Sequence, residues 1–157
     1  RGCRKIGCII YGGSGSANAT IRRNAVVNAL KARKLPVSEA LVQIGVDENY
    51  VEIIGKILKL NIDALFCPGG NAGIITAYAL SLFNKRVPQD VSVIASEHKL
   101  FSRFATPPQT CTTQDHLGLA GLVADIIEAF PDQSPMPQRS MLPYSLIVRD
   151  SVRIPED

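Results

Sequence analysis

Short apolar runs alternate with longer segments of helical periodicity along the first hundred residues of the chain. The runs are apolar nearly throughout, as in parallel strands that are covered on both faces, and they lie at residues 5–10, 40–44, 63–67 and 91–95. The segments between them repeat apolar residues at the spacing of one helix face, and they lie at residues 18–34, 49–60 and 71–83. This alternation predicts βαβ units with right-handed crossovers and a parallel sheet.

The pattern changes after Ala95. The elements predicted there are an irregular segment, a short strand, a helix, a proline-rich loop and a last strand, at residues 100–108, 110–113, 115–130, 131–143 and 144–148. Pro107-Pro108 breaks the irregular segment, and Asp115 is the expected N-cap of the helix. Together the elements predict one α/β domain, a three-layer αβα sandwich with a mostly parallel sheet.

The composition is that of one ordinary globular domain. The chain has 157 residues, of which 46% are hydrophobic and 20% are charged, so wholesale disorder is not expected. A formal net charge of +3 is too small to predict nucleic-acid binding by the chain itself. The basic residues from Arg22 to Lys34 are interpreted mainly as the solvated face of a helix, and a phosphate-binding surface is the alternative.

The cysteines and histidines predict neither a metal site nor a cofactor. Cys3, Cys8, Cys67 and Cys111 are widely spaced and form no CxxC pair, and there are only two histidines, whereas metal binding needs clustered ligands. The sequence shows neither a signal peptide nor an apolar run of membrane-spanning length. Together with the free thiols, this favours a cytoplasmic protein without membrane contact.

Polar side chains follow the predicted strands where each strand ends. In open α/β sheets the carboxyl ends of the strands form the crevice in which ligands bind. The residues at these ends are Ser14, Ser16, Asn18, Asp47, Asn49, Tyr50, Gly69, Gly70, Asn71, Glu97 and His98. Hydroxyls, amides, carboxylates and one aromatic ring suit a small polar or polyhydroxylated ligand. For Tyr50, packing in the core and stacking on a ligand are both open.

None of these residues forms a recognisable catalytic arrangement. Glu97 and His98 are neighbours on an extended segment and therefore point in opposite directions. Cys67 precedes a helix N-terminus, which lowers the pKa of a thiol, but no partner histidine is predicted nearby. The glycine spacing around Ser14 is not that of the GxSxG nucleophile elbow. We therefore expect no catalytic residue and a protein that is not an enzyme.

Four motifs in this order resemble the C-terminal part of regulators of the lactose-repressor/galactose-repressor (LacI/GalR) family. They are Arg22-Arg-Asn-Ala-Val26 with Leu30, Val87-Pro-Gln-Asp-Val-Ser-Val-Ile94, Thr106-Pro-Pro-Gln-Thr110 with Gln114-Asp115, and Leu142-Pro-Tyr-Ser-Leu-Ile-Val-Arg-Asp-Ser151. The resemblance extends from Lys5 to Ser151. It implies the C-terminal lobe of a type I periplasmic-binding-protein-like effector domain.

This resemblance implies a function in the regulation of transcription. We expect an effector-sensing module of a bacterial DNA-binding regulator, in which a small sugar-like molecule binds in a cleft between two lobes and shifts the DNA affinity of a homodimer. DNA contact is expected only through a headpiece that this sequence does not contain. A periplasmic-type sugar-binding protein of a transport or chemosensory system is the alternative.

The resemblance also implies roles for single residues. Arg22 matches an arginine that commonly hydrogen-bonds the ligand, and Glu97 takes the place of an aspartate that binds ligand hydroxyls. A structural ion pair between these two residues is the alternative. With the polar strand ends, the predicted ligand-binding set is Arg22, Glu97, Gln114, Tyr50, Asn18, Ser16 and Asn71. The family usually has Asn-Asp where this chain has Gly69-Gly70, so no side chain can reach a ligand from those two positions.

The same resemblance divides the chain between two lobes. Residues 1–108 and 142–157 are expected to form the C-terminal lobe, and residues 109–141 are expected to belong to the N-terminal lobe of an intact relative. Pro107-Pro108 is the predicted crossover between the lobes. The helix after Asp115 would then lack its native neighbours, so we expect it to bury its apolar face against a second copy of the chain or a rearranged part of this one.

Overall fold

The computed structural model describes residues 2–13, 15–98, 100–129 and 141–153. In chain order its strands and helices are β1 (Ile6–Tyr11), α1 (Ala17–Ala32), β2 (Val42–Gly45), α2 (Asp47–Leu58), β3 (Ala64–Cys67), α3 (Ala72–Leu82), β4 (Ser92–Ser96), β5 (Thr110–Gln114), α4 (His116–Ala129) and β6 (Tyr144–Ile147). Each predicted strand and helix is present, and its ends differ from the predicted ones by only a few residues. Most of the predicted proline-rich loop, and Ser14, lie outside the described residues.

Six strands form one sheet in the order β2-β1-β3-β4-β5-β6. The first five are parallel to one another and β6 pairs antiparallel with β5, which confirms the predicted mostly parallel sheet. Because parallel strands end on the same side of a sheet, Tyr11, Cys67, Ser96 and Gln114 lie along one edge. We call this side the carboxyl edge.

Helices lie on both faces of the sheet. The chain moves from β1 to β2 in one direction across the sheet, and from β2 to β3 and on to β4 in the other direction. Right-handed crossovers therefore place α1 on one face and α2 with α3 on the opposite face, where those two helices contact each other. The predicted three-layer αβα sandwich is confirmed.

The core is built from the apolar runs that the sequence assigns to strands and from the inner faces of the helices. Ile9 and Ile10 of β1 are completely buried, as are Ile54 and Ile57 of α2. Cys67, at the end of β3, is also completely buried, and burial raises the pKa of its thiol to about 12. The sulfur of Cys67 is therefore packed as a small hydrophobe and not activated as a nucleophile.

The segment after residue 108 departs from its prediction. Strand β5 pairs with β4 in the parallel sheet, so the predicted crossover between lobes at Pro107-Pro108 is wrong. The chain instead leaves the sheet after Gln114 and returns at Tyr144, since these two residues are paired at the end of β5 and the start of β6. Residues 110–114 thus lie in the same sheet as β1 to β4, and the membership of the following residues in a second lobe stays a prediction.

Helix α4 stands apart from the sheet. None of its described residues is buried, and Leu117, Val123 and Ile127 are 87%, 47% and 65% exposed. Within the described residues, the prediction that its apolar face packs on a rearranged part of this chain is wrong. Packing against a second copy stays a prediction.

Candidate ligand-binding site

Three adjoining hollows lie along the carboxyl edge, where β3, β4 and β5 end. The central hollow has a volume of about 190 Å³ and is lined by Arg22, Gly69, Gly70, Ser96, Glu97, Thr112, Thr113, Gln114, His116 and Tyr144. A hollow of about 610 Å³ shares three of these residues and is lined by Glu97, Arg103, Thr113, His116 and Arg149. A third, of about 210 Å³, shares Arg22, Ser96, Thr112 and Tyr144 with the first. We call the three hollows together the edge cleft.

Arg22 lies in the second turn of α1 and extends over the turn after β3. A Cβ atom built on Gly69 would lie 3.2 Å from Nη1 of Arg22, and the φ of Gly69 is +103°. A side chain at position 69 would therefore be strained and would also displace the guanidinium group. Within the described residues Arg22 forms no ion pair, so the alternative of an ion pair with Glu97 is not seen.

Glu97 is held by Arg149 instead. Two nitrogens of the Arg149 guanidinium each donate a hydrogen bond of 2.8 Å to a different oxygen of the Glu97 carboxylate, and Nη1 also donates to the carbonyl oxygen of Gln109 at 2.6 Å. This two-pronged geometry is the strongest arrangement that an arginine and a carboxylate can form. The hydrogen bonds from Arg149 lower the pKa of Glu97, so the carboxylate is ionised at neutral pH and fixed in orientation.

The strand ends beside Glu97 are joined by further hydrogen bonds. The amide of Gly69 donates to Oγ of Ser96 at 2.8 Å, which ties the turn after β3 to the end of β4. Nε2 of Gln114 donates to Oη of Tyr144 at 2.6 Å, which orients the side-chain amide inside the central hollow. Ser96, Tyr144 and Arg149 were missed by the sequence analysis. Tyr144 and Arg149 lie inside the fourth family motif, which is the signal that could have found them.

Tyr50 is not available to a ligand in this structure. Its ring is completely buried, and its hydroxyl donates a hydrogen bond of 3.2 Å to the carbonyl oxygen of Ile9. Of the two possibilities that the sequence left open, core packing is the one observed. An aromatic ring that does lie at the carboxyl edge is that of Tyr11, the last residue of β1. It lies against Gly70, and its hydroxyl donates to Oδ1 of Asp47 at 2.7 Å.

The remaining predicted residues lie away from the edge cleft. Ser16 is the N-cap of α1, and its Oγ accepts a hydrogen bond from the amide of Ala19 at 3.3 Å. Asn18 and Asn71 are exposed at the N-terminal ends of α1 and α3, and neither lines one of the three hollows. The fold thus brings Arg22, Glu97 and Gln114 together from the predicted set, and places Tyr50, Asn18, Ser16 and Asn71 elsewhere.

The same geometry offers no acid–base pair at Glu97 and His98. Both carboxylate oxygens of Glu97 accept hydrogen bonds from Arg149, and within the described residues no hydrogen bond joins this carboxylate to His98, whose Nδ1 is buried without a partner. Across residues 2–13, 15–98, 100–129 and 141–153, no three histidine, cysteine or acidic side chains are grouped closely enough to hold a metal ion. No helix in those ranges is both long enough and apolar enough to cross a bilayer.

Comparison with solved structures places this fold among transcription regulators. A complex of the transcriptional regulator CelR with cellobiose is 25% identical, with a TM-score of 0.81 over 96% of this chain and 47% of that one. A sugar-binding regulator of the LacI family from Escherichia coli, complexed with phosphate, is 20% identical, with a TM-score of 0.84 over 98% of this chain and 56% of that one. The Escherichia coli repressor ascG is also 20% identical, with a TM-score of 0.83 over 96% of this chain and 56% of that one.

The chain spans about half the length of each of these structures. A search of curated protein sequences finds no match. The predicted resemblance to the effector domains of LacI/GalR regulators is confirmed. The model of the periplasmic binding protein-like domain matches residues 1–152, and the chain therefore belongs to that family.

Proposed function

We propose that the chain is part of the effector-sensing domain of a bacterial LacI/GalR-type regulator and that it is not an enzyme. The observation that carries this proposal is the edge cleft, where Arg22, the fixed carboxylate of Glu97 and the amide of Gln114 converge on one open hollow. Related folds bind cellobiose or phosphate in regulators whose structures are known. The proposed ligand is a small, sugar-like molecule, and no cofactor is involved.

The edge cleft is one wall of the proposed binding site. The chain leaves the sheet after Gln114 and returns at Tyr144, and both residues line the central hollow. We assign α4, between these two points, to a second lobe whose apolar interior covers the exposed side chains of Leu117 and Ile127. Residues 1–114 and 142–157 then form the lobe described here. A ligand held between the two lobes favours the closed arrangement in proportion to its difference in affinity for the two states.

An apolar surface on the opposite side from α1 supports a homodimer. Tyr78 and Leu82 of α3 are 62% and 55% exposed, and Leu100 and Phe104, in the turns after β4, are 78% and 72% exposed. The two segments adjoin, since residues of both line one hollow of about 390 Å³. Exposed apolar side chains in this number mark an interface. We assign the surface to a second copy, in a cytoplasmic regulator that contacts DNA through a separate headpiece.

The dimer surface can be tested by sedimentation velocity. The wild-type chain is expected to sediment as a dimer, and Tyr78→Ser combined with Leu82→Ser is expected to sediment as a monomer. The matched control is Leu117→Ser combined with Ile127→Ser on α4, which leaves the proposed interface intact. A dimer that survives the α3 substitutions and dissociates on the α4 substitutions would instead assign the interface to α4.

The proposed function is tested by a thermal-shift screen of neutral sugars, sugar phosphates and nucleosides. A ligand of the native state raises the melting temperature by mass action. We expect at least one such ligand, and we expect Arg22→Ala to weaken its binding by about 1.5–3 kcal/mol through loss of a charged hydrogen bond. Arg23→Ala, one residue along the same helix, is the control. Unchanged affinity in Arg22→Ala would remove this residue from the site, and turnover of any bound ligand would refute the non-enzymatic assignment.

A further inference from the structure

The edge cleft carries more positive than negative groups. Three arginines line its hollows, namely Arg22, Arg103 and Arg149, whereas Glu97 is the one carboxylate among the lining residues. Asp47 and Asp115, which are the nearest other carboxylates in sequence to the strand ends, line none of the three hollows. Each has its own partner as well, because Asp47 accepts a hydrogen bond from Tyr11 and Asp115 accepts one from the amide of Gly118.

The charge of Glu97 is already matched. Both of its oxygens accept hydrogen bonds of 2.8 Å from Arg149, and the two side chains are only 20% and 18% exposed. The other arginines that line the cleft therefore have no unpaired carboxylate beside them among the described lining residues. Arg22 and Arg103 are the cations left without an acidic partner there, and of these only Arg22 reaches the central hollow.

The surroundings of Arg22 suit an anionic oxygen group. Its guanidinium lies over Gly69, and the absence of a side chain at that position leaves room for the guanidinium beside the hollow. The side-chain amide of Gln114 donates one of its two N–H groups to Tyr144, so its second N–H and the ring of His116 are the side-chain donors that line the same hollow beside Arg22. The one carboxylate that lines the hollow, that of Glu97, already accepts two hydrogen bonds from Arg149, so Arg22 has no unpaired anionic side chain there to bind.

We infer that the ligand of this site carries an anionic oxygen group, either a phosphate ester or a carboxylate, and that Arg22 binds it. The planar guanidinium donates two parallel hydrogen bonds to either group, which a neutral hydroxyl cannot accept in the same way. The inference rests on the proposed function, because it concerns the ligand of the same cleft. It adds to the proposed function that the ligand carries a negative charge.

Matched pairs of neutral and anionic ligands test the inference on the full chain. The probes are glucose with glucose 6-phosphate, glucose with glucuronate, and galactose with galactose 1-phosphate, together with inorganic phosphate alone. Binding is followed by amide chemical shifts in two-dimensional NMR spectra, at Gly69, Gly70, Thr112 and Gln114. We expect the anionic member of at least one pair to bind about tenfold more tightly than the neutral member, the equivalent of one charged hydrogen bond. A preference for the sugar phosphates or for glucuronate distinguishes the two anionic groups.

Substitution of Arg22 assigns the preference to this side chain. Arg22→Gln is expected to bring the two affinities of a pair together, and Arg23→Gln is expected to preserve the tenfold preference. A neutral sugar that binds as tightly as its anionic partner would overturn the inference and leave the proposed function standing. A preference that survives in Arg22→Gln would also overturn it. Absence of shifts with every probe would count against both the ligand site and its charge preference.

Discussion

Arg149→Met is expected to destabilise the fold through the loss of its largely buried ion pair with Glu97. Arg149 follows β6 and Glu97 follows β4, so their hydrogen bonds join parts of the chain that are 52 residues apart. The same guanidinium also donates to the carbonyl oxygen of Gln109, which lies just before β5. Methionine keeps much of the aliphatic volume of arginine but none of its donors, and it leaves the Glu97 carboxylate without a cationic partner.

The size of the effect follows from how far the pair is removed from water. An exposed ion pair contributes about 0–1 kcal/mol, and removing one partner of a fully buried pair costs about 3–5 kcal/mol. The Arg149 and Glu97 side chains are 18% and 20% exposed, which is between the two cases and nearer to the second. We therefore expect Arg149→Met to lower the free energy of unfolding by about 2–3 kcal/mol at pH 7.

The effect should depend on pH in a defined direction. Hydrogen bonds from Arg149 lower the pKa of Glu97 in the folded chain, whereas in the unfolded chain it has the ordinary value of about 4.3. The contribution of the pair is therefore fully present above the unfolded value and is lost as the pH falls through the lower, folded-state pKa. The difference in stability between the wild type and Arg149→Met should shrink on acidification.

Urea unfolding followed by circular dichroism at pH 7 and at pH 3 measures both effects. Lys56→Met is the matched control, because Lys56 and Glu52 form an exposed pair one turn apart on α2, with side chains that are 67% and 66% exposed. This control is expected to cost about 0.5 kcal/mol or less. Equal losses in the two variants, or a loss in Arg149→Met that does not change with pH, would refute the reasoning.

Three further predictions concern two single substitutions and one double substitution. Tyr50→Phe is expected to lower the free energy of unfolding by about 1 kcal/mol in chemical denaturation, because the carbonyl oxygen of Ile9 loses its buried hydrogen-bond donor. Ligand affinity is expected to stay unchanged, and weaker binding would show that Tyr50 contributes to the site. Gly69→Ala, at a φ of +103°, is expected to lower the free energy of unfolding by about 1 kcal/mol or more and to weaken ligand binding measured by calorimetry. An unchanged stability and an unchanged affinity would show that the turn accommodates the alanine side chain. In the Tyr78→Ser, Leu82→Ser variant, which is expected to be monomeric, Leu117→Ser combined with Ile127→Ser is expected to change the stability by less than about 0.5 kcal/mol. A larger loss would show that α4 packs on the sheet.

The fold was accessible to sequence reasoning because it depends on local patterns. The run at residues 63–67, for example, is apolar enough to be a strand covered on both faces, and it is β3 of the sheet. The parallel order of the first five strands follows from strands that alternate with helices and from right-handed crossovers. Glu97 was predicted at a strand end by the same topology, whereas Arg22, in the second turn of α1, was predicted from the family resemblance; both line the central hollow.

The predictions of site residues that differ from the structure concern side chains for which the sequence allows two different environments. Tyr50 follows the end of β2, as a ligand-contacting residue would, but it also has Ile54 and Ile57 four and seven residues later. That spacing places all three on the inner face of α2, and packing determined the outcome. The pairing of Glu97 with Arg149 could not be read from local spacing, because the two residues meet only when β6 returns to the sheet beside β5.

The position of Arg149 connects the edge cleft to the point where the chain returns to the sheet. Gln114 is the last residue before the excursion through α4 and Tyr144 is the first residue of the returning strand, and their side chains are hydrogen-bonded at 2.6 Å. Arg149, a few residues farther along, fixes the carboxylate of Glu97. If α4 belongs to a second lobe, as we propose, a rigid-body movement of that lobe pulls on the chain at Gln114 and Tyr144. Those residues line the hollow that also contains Arg22. A ligand bound there would contact the hinge directly, so its affinity would differ between the two lobe arrangements, as a population shift requires.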